Sequence, residues 1–332
     1  MHCELVIPGL FAGQAQARLP SLELLLARGR CSSTQSRNLQ SWLRDAFELG
    51  EEPIAAGALT LLAGGAEPGG EFWARADPVH LSVMRERLIL IPGEALRIAR
   101  DEADALCEAL NRHFAGRAAV HVVDPLRWCV KLREEEALNA QCPLEVAGRD
   151  VDLCLPAGEG APRSHQLMNE AQMLLHSHPV NEAREARGEP ALNSLWLWGA
   201  GRVPRISGTQ WHSVSANEPV ALGLARAAGV RQRTLPASAE AWLDRAPEEG
   251  RHLVVLDSLR APLALAQAAE YGEALAALER DWFAPLLAAL RGGRIGMVTV
   301  HVPDGAQCAA FEAIRGDLRR FWRRPRSLEH YG

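Results

Sequence analysis

Residues 165–205 read HQLMNEAQMLLHSHPVNEAREARGEPALNSLWLWGAGRVPR. Leu167, Met168, Ala171, Leu174 and Leu175 recur at helical spacing, which predicts a helix over 165–176 with one buried face. His176 and His178 stand at its end, where cationic side chains complement the negative helix terminus. An H-x-H pair also suits a metal, although no further Asp, Cys or His occupies an obvious partner position. Because His178 precedes Pro179, its backbone is biased out of helical geometry. Asn181 is a candidate cap for a short second helix carrying Arg184 and Arg187 on one face, with Gly188 as its stop. A buried strand over 193–198 then runs into Gly199-Ala200-Gly201-Arg202. Glycine turns at the carboxyl ends of parallel strands are where α/β folds place ligands. Gly199 and Gly201 are therefore candidates to let an anion approach the backbone, with Arg202 supplying a fork of donors. Glycine turns also serve as plain connectors.

Outward from this stretch, short apolar runs predict strands at 4–7, 87–91, 119–123, 127–132, 252–256 and 295–300. Helical patterns fall at 20–28, 40–49, 93–114, 217–228, 261–290 and 306–322. Alternation of this kind predicts an α/β fold with a doubly wound, mostly parallel sheet. The strands at 119–123 and 127–132 are too close for a parallel crossover and must form an antiparallel hairpin. With 87–91 and 93–114 they make a β-α-β-β unit. The expected organisation is a core of 1–75 and 161–332 split by an inserted α+β subdomain at 76–160, with loops at 63–70 and 156–163.

Hydrophobic residues make up 48% of the 332 residues and charged residues 23%, an ordinary globular balance. A formal net charge of -5, mixed along the chain, argues against a dedicated nucleic-acid binder. Arg319, Arg320, Arg323, Arg324 and Arg326, interleaved with Phe321 and Trp322, read as a solvated helix end. The seven cysteines are scattered without a CxxC pair, so reduced thiols are expected rather than a disulfide framework. No segment is apolar enough for a membrane helix, and no signal-peptide pattern opens the sequence. A soluble cytoplasmic protein is the expectation.

The wording HPVN-x-x-R-x-x-x-G, followed by a strand ending in G-x-G, resembles archaeal-type cofactor-independent phosphoglycerate mutases of the alkaline phosphatase superfamily. The likeness extends to ELVIPGL, LPSLELLLARG, SWLRDAFELG, SVSANEPVALGLARAAGV and LERDWFAPLLAAL. It also includes EFWARAD, whose Arg75 matches an arginine-bearing segment entering the family's inserted subdomain. A closer likeness, carried by NE-x-QMLLH-x-HPVN-x-x-R and NSLWLWG, is to bacterial regulatory proteins of the pathogenicity-factor type.

The resemblance implies two divalent metals, manganese or zinc, and a nucleophilic hydroxyl that is phosphorylated in passing. This sequence departs from that pattern at several positions. Pro8 stands where the first Asp ligand belongs, and Trp42 replaces the acidic residue after Ser41, which occupies the nucleophile position. Asp257 is in place, but Ala261 stands where a His belongs, and the final Asp-His pair reads His301-Val302. Ser41 equally suits a helix N-cap, Asp257 a cap of the helix after it, and His301 a hydrogen-bonded loop position. Asp257 and His301 are thus a residual metal set. Arg202, Gly199, Gly201, Arg75, Asn181 and Arg184 are the ligand-binding candidates. The expectation is a degenerate, non-catalytic regulatory protein without a resident cofactor. It would bind a phosphorylated small molecule or a protein partner, and neither nucleic acid nor membrane. The alternative is an active mutase or phosphatase with relocated ligands such as His176, His178, His212 or His301. Any anion site is expected where Gly9, Gly199, Gly201 and His301 converge, at the carboxyl ends of 4–7, 193–198 and 295–300.

Overall fold

The computed structural model describes residues 1–13, 18–84, 86–133, 138–245, 249–305 and 307–331. Its strands are β1 (His2–Val6), β2 (Arg30–Thr34), β3 (Phe72–Met84), β4 (Arg87–Pro92), β5 (Ala118–Asp124) and β6 (Arg127–Leu132). They continue as β7 (Ser194–Gly201), β8 (Ser213–Ala216), β9 (Arg231–Thr234), β10 (Arg251–Val255), β11 (Met297–Asp304) and β12 (Gln307–Ile314). The chain divides into two compact units, Met1–Gly50 with Ile206–Gly332, and Glu51–Arg205.

The first unit carries a seven-stranded sheet in the order β2-β12-β11-β1-β10-β8-β9. From β11 to β9 the neighbours are parallel, while β12 and β2 add an antiparallel margin. Side chains alternate across the central strands. Cys3, Leu5 and Ile7 join Val254, Val298 and Val300 in one core with Leu22, Leu275, Phe283 and Leu286 from the helices. Glu4 and His301 face the other way, where Trp42 of the helix Leu39–Ala46 lies 4.9 Å from the His301 ring. The helix Pro20–Arg28 begins with Pro20, and its free N–H groups at Ser21 and Leu22 donate to the Glu279 carboxylate at 2.7 and 3.2 Å.

The second unit carries an antiparallel sheet in the order β4-β3-β6-β5, with β7 also paired to β3. The hairpin expected at 119–132 is present as β5 and β6. Mixed α/β architecture is confirmed, with a mostly parallel sheet and a separate antiparallel one.

Several expectations differ from the structure. The compact unit is wider than 76–160, running from 51 to 205: β3 begins before that span, β7 follows it, and the two pair in one sheet. The strand at 193–198 is thus antiparallel to β3 and ends no parallel sheet. The stretch expected as a helix over 306–322 forms no α-helix among the described residues. Residues 307–314 form β12, and only Asp317–Arg319 makes a 3₁₀ turn.

Candidate functional site

At the carboxyl ends of β1 and β11 the chain bonds to itself. The Asp304 carboxylate accepts the Gly9 N–H at 2.6 Å and the Phe11 N–H at 3.1 Å, and burial raises its pKa above the usual aspartate value. The Tyr271 hydroxyl donates to the Gly9 carbonyl at 2.7 Å, which fixes the turn from its other side. Gly9 has φ +87, and a Cβ there would come within 3.2 Å of Leu263, so glycine suits the tight turn. Pro8 precedes this turn in the place where the resemblance implied a ligand. Asp304 and Tyr271 were missed from the sequence, although Asp304-Gly305 after an apolar run is a turn signal.

Ser41 is not the cap itself. The cap is Asn38, whose Oδ1 accepts the Ser41 N–H at 2.8 Å, and the Ser41 Oγ accepts the Asn38 N–H at 3.1 Å. That Oγ also accepts from the Arg37 N–H and donates to the Asn38 carbonyl, both at 3.0 Å. The hydroxyl is committed to a reciprocal capping box. His301 belongs to a cluster around Glu4, which is 2% exposed. Glu4 accepts from His301 Nε2 at 3.0 Å and from Arg251 Nε at 2.7 Å, and His2 Nδ1 lies 3.4 Å away. Burial alone would raise the Glu4 carboxyl, but the hydrogen bonds from His301 and Arg251 and the charge of His2 hold it below the ordinary glutamate value. Asp257, half-buried, follows β10, and its carbonyl accepts from Arg260 N–H at 3.1 Å. Among the described residues no group of three His, Cys, Asp or Glu side chains stands close enough to hold a metal ion. With Asp304 taken by main-chain N–H groups and His301 by Glu4, the donors present do not fit the two-metal centre that the resemblance implied.

The ligand candidates of the second unit are also engaged. Arg75 and Asp77, each 5% exposed, pair within β3. Arg75 also donates to Thr60 Oγ1 at 3.2 Å and lies 5.4 Å over Trp198, whose indole N–H donates to Asp77 at 2.7 Å. Asn181 does not cap the helix Pro179–Ala186. His178 does, its Nδ1 accepting the Val180 N–H at 3.2 Å. Asn181 instead bridges Leu175 and Leu192, donating to both carbonyls at 2.8 and 3.0 Å and accepting the Leu192 N–H at 2.7 Å. Arg184 is fully buried and donates to Pro190 O at 2.9 Å, to Glu102 at 2.6 Å and to Leu96 O. His176 ends the helix Ala161–His176.

The glycines in the last residues of β7 have a packing cause. A Cβ on Gly199 would lie 2.4 Å from the Ala56 Cβ, and one on Gly201 would lie 2.7 Å from the Ala55 Cβ. They admit the first turn of the helix Ala56–Ala63 onto the strand. Arg202 is exposed beyond them, its guanidinium near Gly70. The convergence expected for Gly9, Gly199, Gly201 and His301 does not follow from the topology, because β7 lies in the lobe's own sheet. The lobe also has a cavity of about 350 Å³ with Phe114, Leu132, Leu138 and Leu167 in its lining. On its rim Arg117 donates to Glu170 at 2.9 and 2.6 Å, and with Gln166 and His113 it holds the Glu170 carboxyl down to about 2.

Among the described residues no helix is long and apolar enough to cross a membrane. The family model for 2,3-bisphosphoglycerate-independent phosphoglycerate mutase matches residues 69–181, which fall within the second unit. A probable mutase of that name from Geobacter sulfurreducens is 27% identical over 212 residues, 58% of this chain and 51% of its own length. A second from Methanothermobacter thermautotrophicus is 30% identical over 120 residues, 35% of this chain and 30% of its own length. The alignments thus span about half or less of these curated relatives. A solved structure from Pyrococcus horikoshii shares the fold, with TM-score 0.58 at 16% identity over 94% of this chain and 87% of that one. The chain is related to the cofactor-independent phosphoglycerate mutases and is phosphoglycerate mutase-like in fold.

Proposed function

We propose that this chain is a regulatory, non-catalytic phosphoglycerate mutase-like protein that binds a phosphorylated small molecule or a protein partner. Within the alkaline phosphatase superfamily it would stand with the bacterial pathogenicity-factor regulators and act in the cytoplasm. The observation that carries the proposal is the self-bonded carboxyl edge of β1 and β11. Asp304 and Tyr271 hold the turn at Pro8-Gly9, and the Ser41 hydroxyl is committed to Asn38. A nucleophile must be free to lose its proton, and metal ligands must turn lone pairs to a common point. The bonds already made by Ser41 and Asp304 support a reading in which neither serves that chemistry. For the small molecule, Arg202 is the donor we assign, since Arg75, Asn181 and Arg184 are held inside the lobe.

Mutase and phosphatase assays with added manganese or zinc, together with elemental analysis, test the catalytic half. Turnover that depends on either metal would establish the alternative, an active enzyme with relocated ligands. Thermal shift against a panel of phosphorylated three-carbon acids tests the binding half, because a ligand of the native state raises stability. A charge-assisted contact contributes about 1.5–3 kcal/mol, so Arg202→Ala should weaken the best ligand by roughly 10- to 150-fold. Equal affinities would move the site elsewhere.

A further inference from the structure

β2 is the outermost strand of the large sheet, paired only to β12 among the described residues. All five of its residues, Arg30–Thr34, are exposed. Such an edge presents alternate unpaired N–H and C=O groups, which proteins usually blunt or cover. Beside it runs the arginine-rich segment. The Arg320 guanidinium donates to the Arg28 carbonyl at 3.3 Å, and Arg323 donates to the Gly29 carbonyl at 2.8 Å. These two bonds fasten the segment to the residues that lead into β2. Between them stand Phe321 and Trp322, 77% and 66% exposed, packed edge to face with ring centroids 5.3 Å apart. Arg319 and Arg324 flank the pair and make no ion pair among the described residues. Residues 315–326 hold six arginines against one acidic residue, Asp317, in a chain whose net charge is -5. Only the 3₁₀ turn Asp317–Arg319 precedes the run and no α-helix is present here, so the basic run is not the end of the helix that its sequence suggested.

We infer that the β2 edge and the arm at 319–324 form a docking surface for an extended, acidic segment of a partner protein, added as a further strand. An added strand satisfies the open main-chain groups of β2, which neither a lipid headgroup nor a nucleic acid does. Acidic side chains meet Arg30, Arg319 and Arg324, and apolar ones alternate onto Phe321 and Trp322. This deepens the protein-partner half of the proposed function. It rests on residues separate from Arg202, so either binding experiment fails without the other.

The probe is a short fluorescein-labelled peptide of alternating glutamate and valine, titrated against the full chain by anisotropy. Saturable binding is expected, with none to the lysine-valine counterpart. Arg319→Glu with Arg324→Glu should weaken it by about tenfold or more, and Phe321→Ser with Trp322→Ser should weaken it as well. Neighbouring strand residues turn their N–H groups to opposite edges. Of Ser32→Pro and Ser33→Pro, therefore, the one facing outward should abolish binding while circular dichroism and melting stay unchanged. Binding indifferent to both prolines would overturn the strand-addition geometry. Binding only to phosphatidylserine vesicles or to an oligothymidylate, with none to the peptide, would overturn the partner class.

Discussion

Arg184 shows how polar residues mislead when read without their surroundings. In the sequence it belongs to a motif that suggests ligand recognition. In the structure it has no exposed surface and ties Pro190, Leu96 and Glu102 together. Glu102 would keep Arg187 at 2.7 Å, but Arg184→Ala would strip the Pro190 and Leu96 carbonyls of their donor, at about 1–3 kcal/mol for each buried group left unsatisfied. Arg184→Ala should lower the urea midpoint of the second unit accordingly, and Arg184→Lys should recover little, because it lacks the planar fork. Ser41 makes the same point at lower cost. Losing a capping interaction costs about 0.5–2 kcal/mol, so Ser41→Ala should reduce thermal stability modestly. A much larger effect on a phosphoryl-transfer activity would instead mark Ser41 as the nucleophile. The sequence showed that these residues stand in special positions. It did not show whether their partners lie inside the chain or outside it, since backbone carbonyls leave no trace in residue identity.

At the level of elements, the hairpin β5–β6 was legible because its short connection forbids a parallel crossover. β12 was not, since Ala309, Ala310, Glu312 and Ala313 are helix formers. Pairing with β11 and β2 on both sides overrides that local preference. β3 was obscured by Pro78, a residue that normally argues against a strand interior. β7 was read correctly as a buried strand but assigned to the wrong sheet, because an apolar run does not reveal its neighbours. Gly199, within its last residues, yields a direct test. Gly199→Ala adds a Cβ 2.4 Å from Ala56 at a φ of +59, and overpacking of this kind costs about 1–3 kcal/mol. Ala56→Gly in the same chain should relieve the 2.4 Å contact, but neither the tighter-than-usual contacts with the Ala56 N and Cα at 3.1 and 3.2 Å nor the left-handed backbone part. Equilibrium unfolding of the two singles and the double would separate the terms. A double mutant no better than Gly199→Ala would show that the clash is not the cause.

For the whole molecule, two expectations concern stability. His252 is fully buried between Ser213, whose Oγ lies 2.8 Å from Nδ1, and the Glu249 carbonyl, 2.9 Å from Nε2. Burial lowers its pKa below the usual histidine value. A histidine held neutral stabilises the folded state fully above about pH 6.5. That contribution is lost as pH falls through the lowered folded value. The melting temperature should therefore drop below neutral pH, and His252→Asn should flatten the drop. Identical slopes in the two proteins would assign the acid sensitivity elsewhere. The second expectation follows from the compact units. Residues 51–205 own both margins of their sheet, so that segment expressed alone should unfold cooperatively in urea.

β1 lies between β10 and β11, pairing His2 with Arg251 on one side and with Met297 on the other. Both of those partners are synthesised after the entire second unit. On the ribosome, the strand at the centre of the large sheet must therefore wait, apolar and unpaired, while the 51–205 lobe completes its own sheet. Chains arrested before Arg251 should yield a protease-resistant lobe with a degradable leader. Protection of β1 should appear only once Met297–Asp304 has left the exit tunnel.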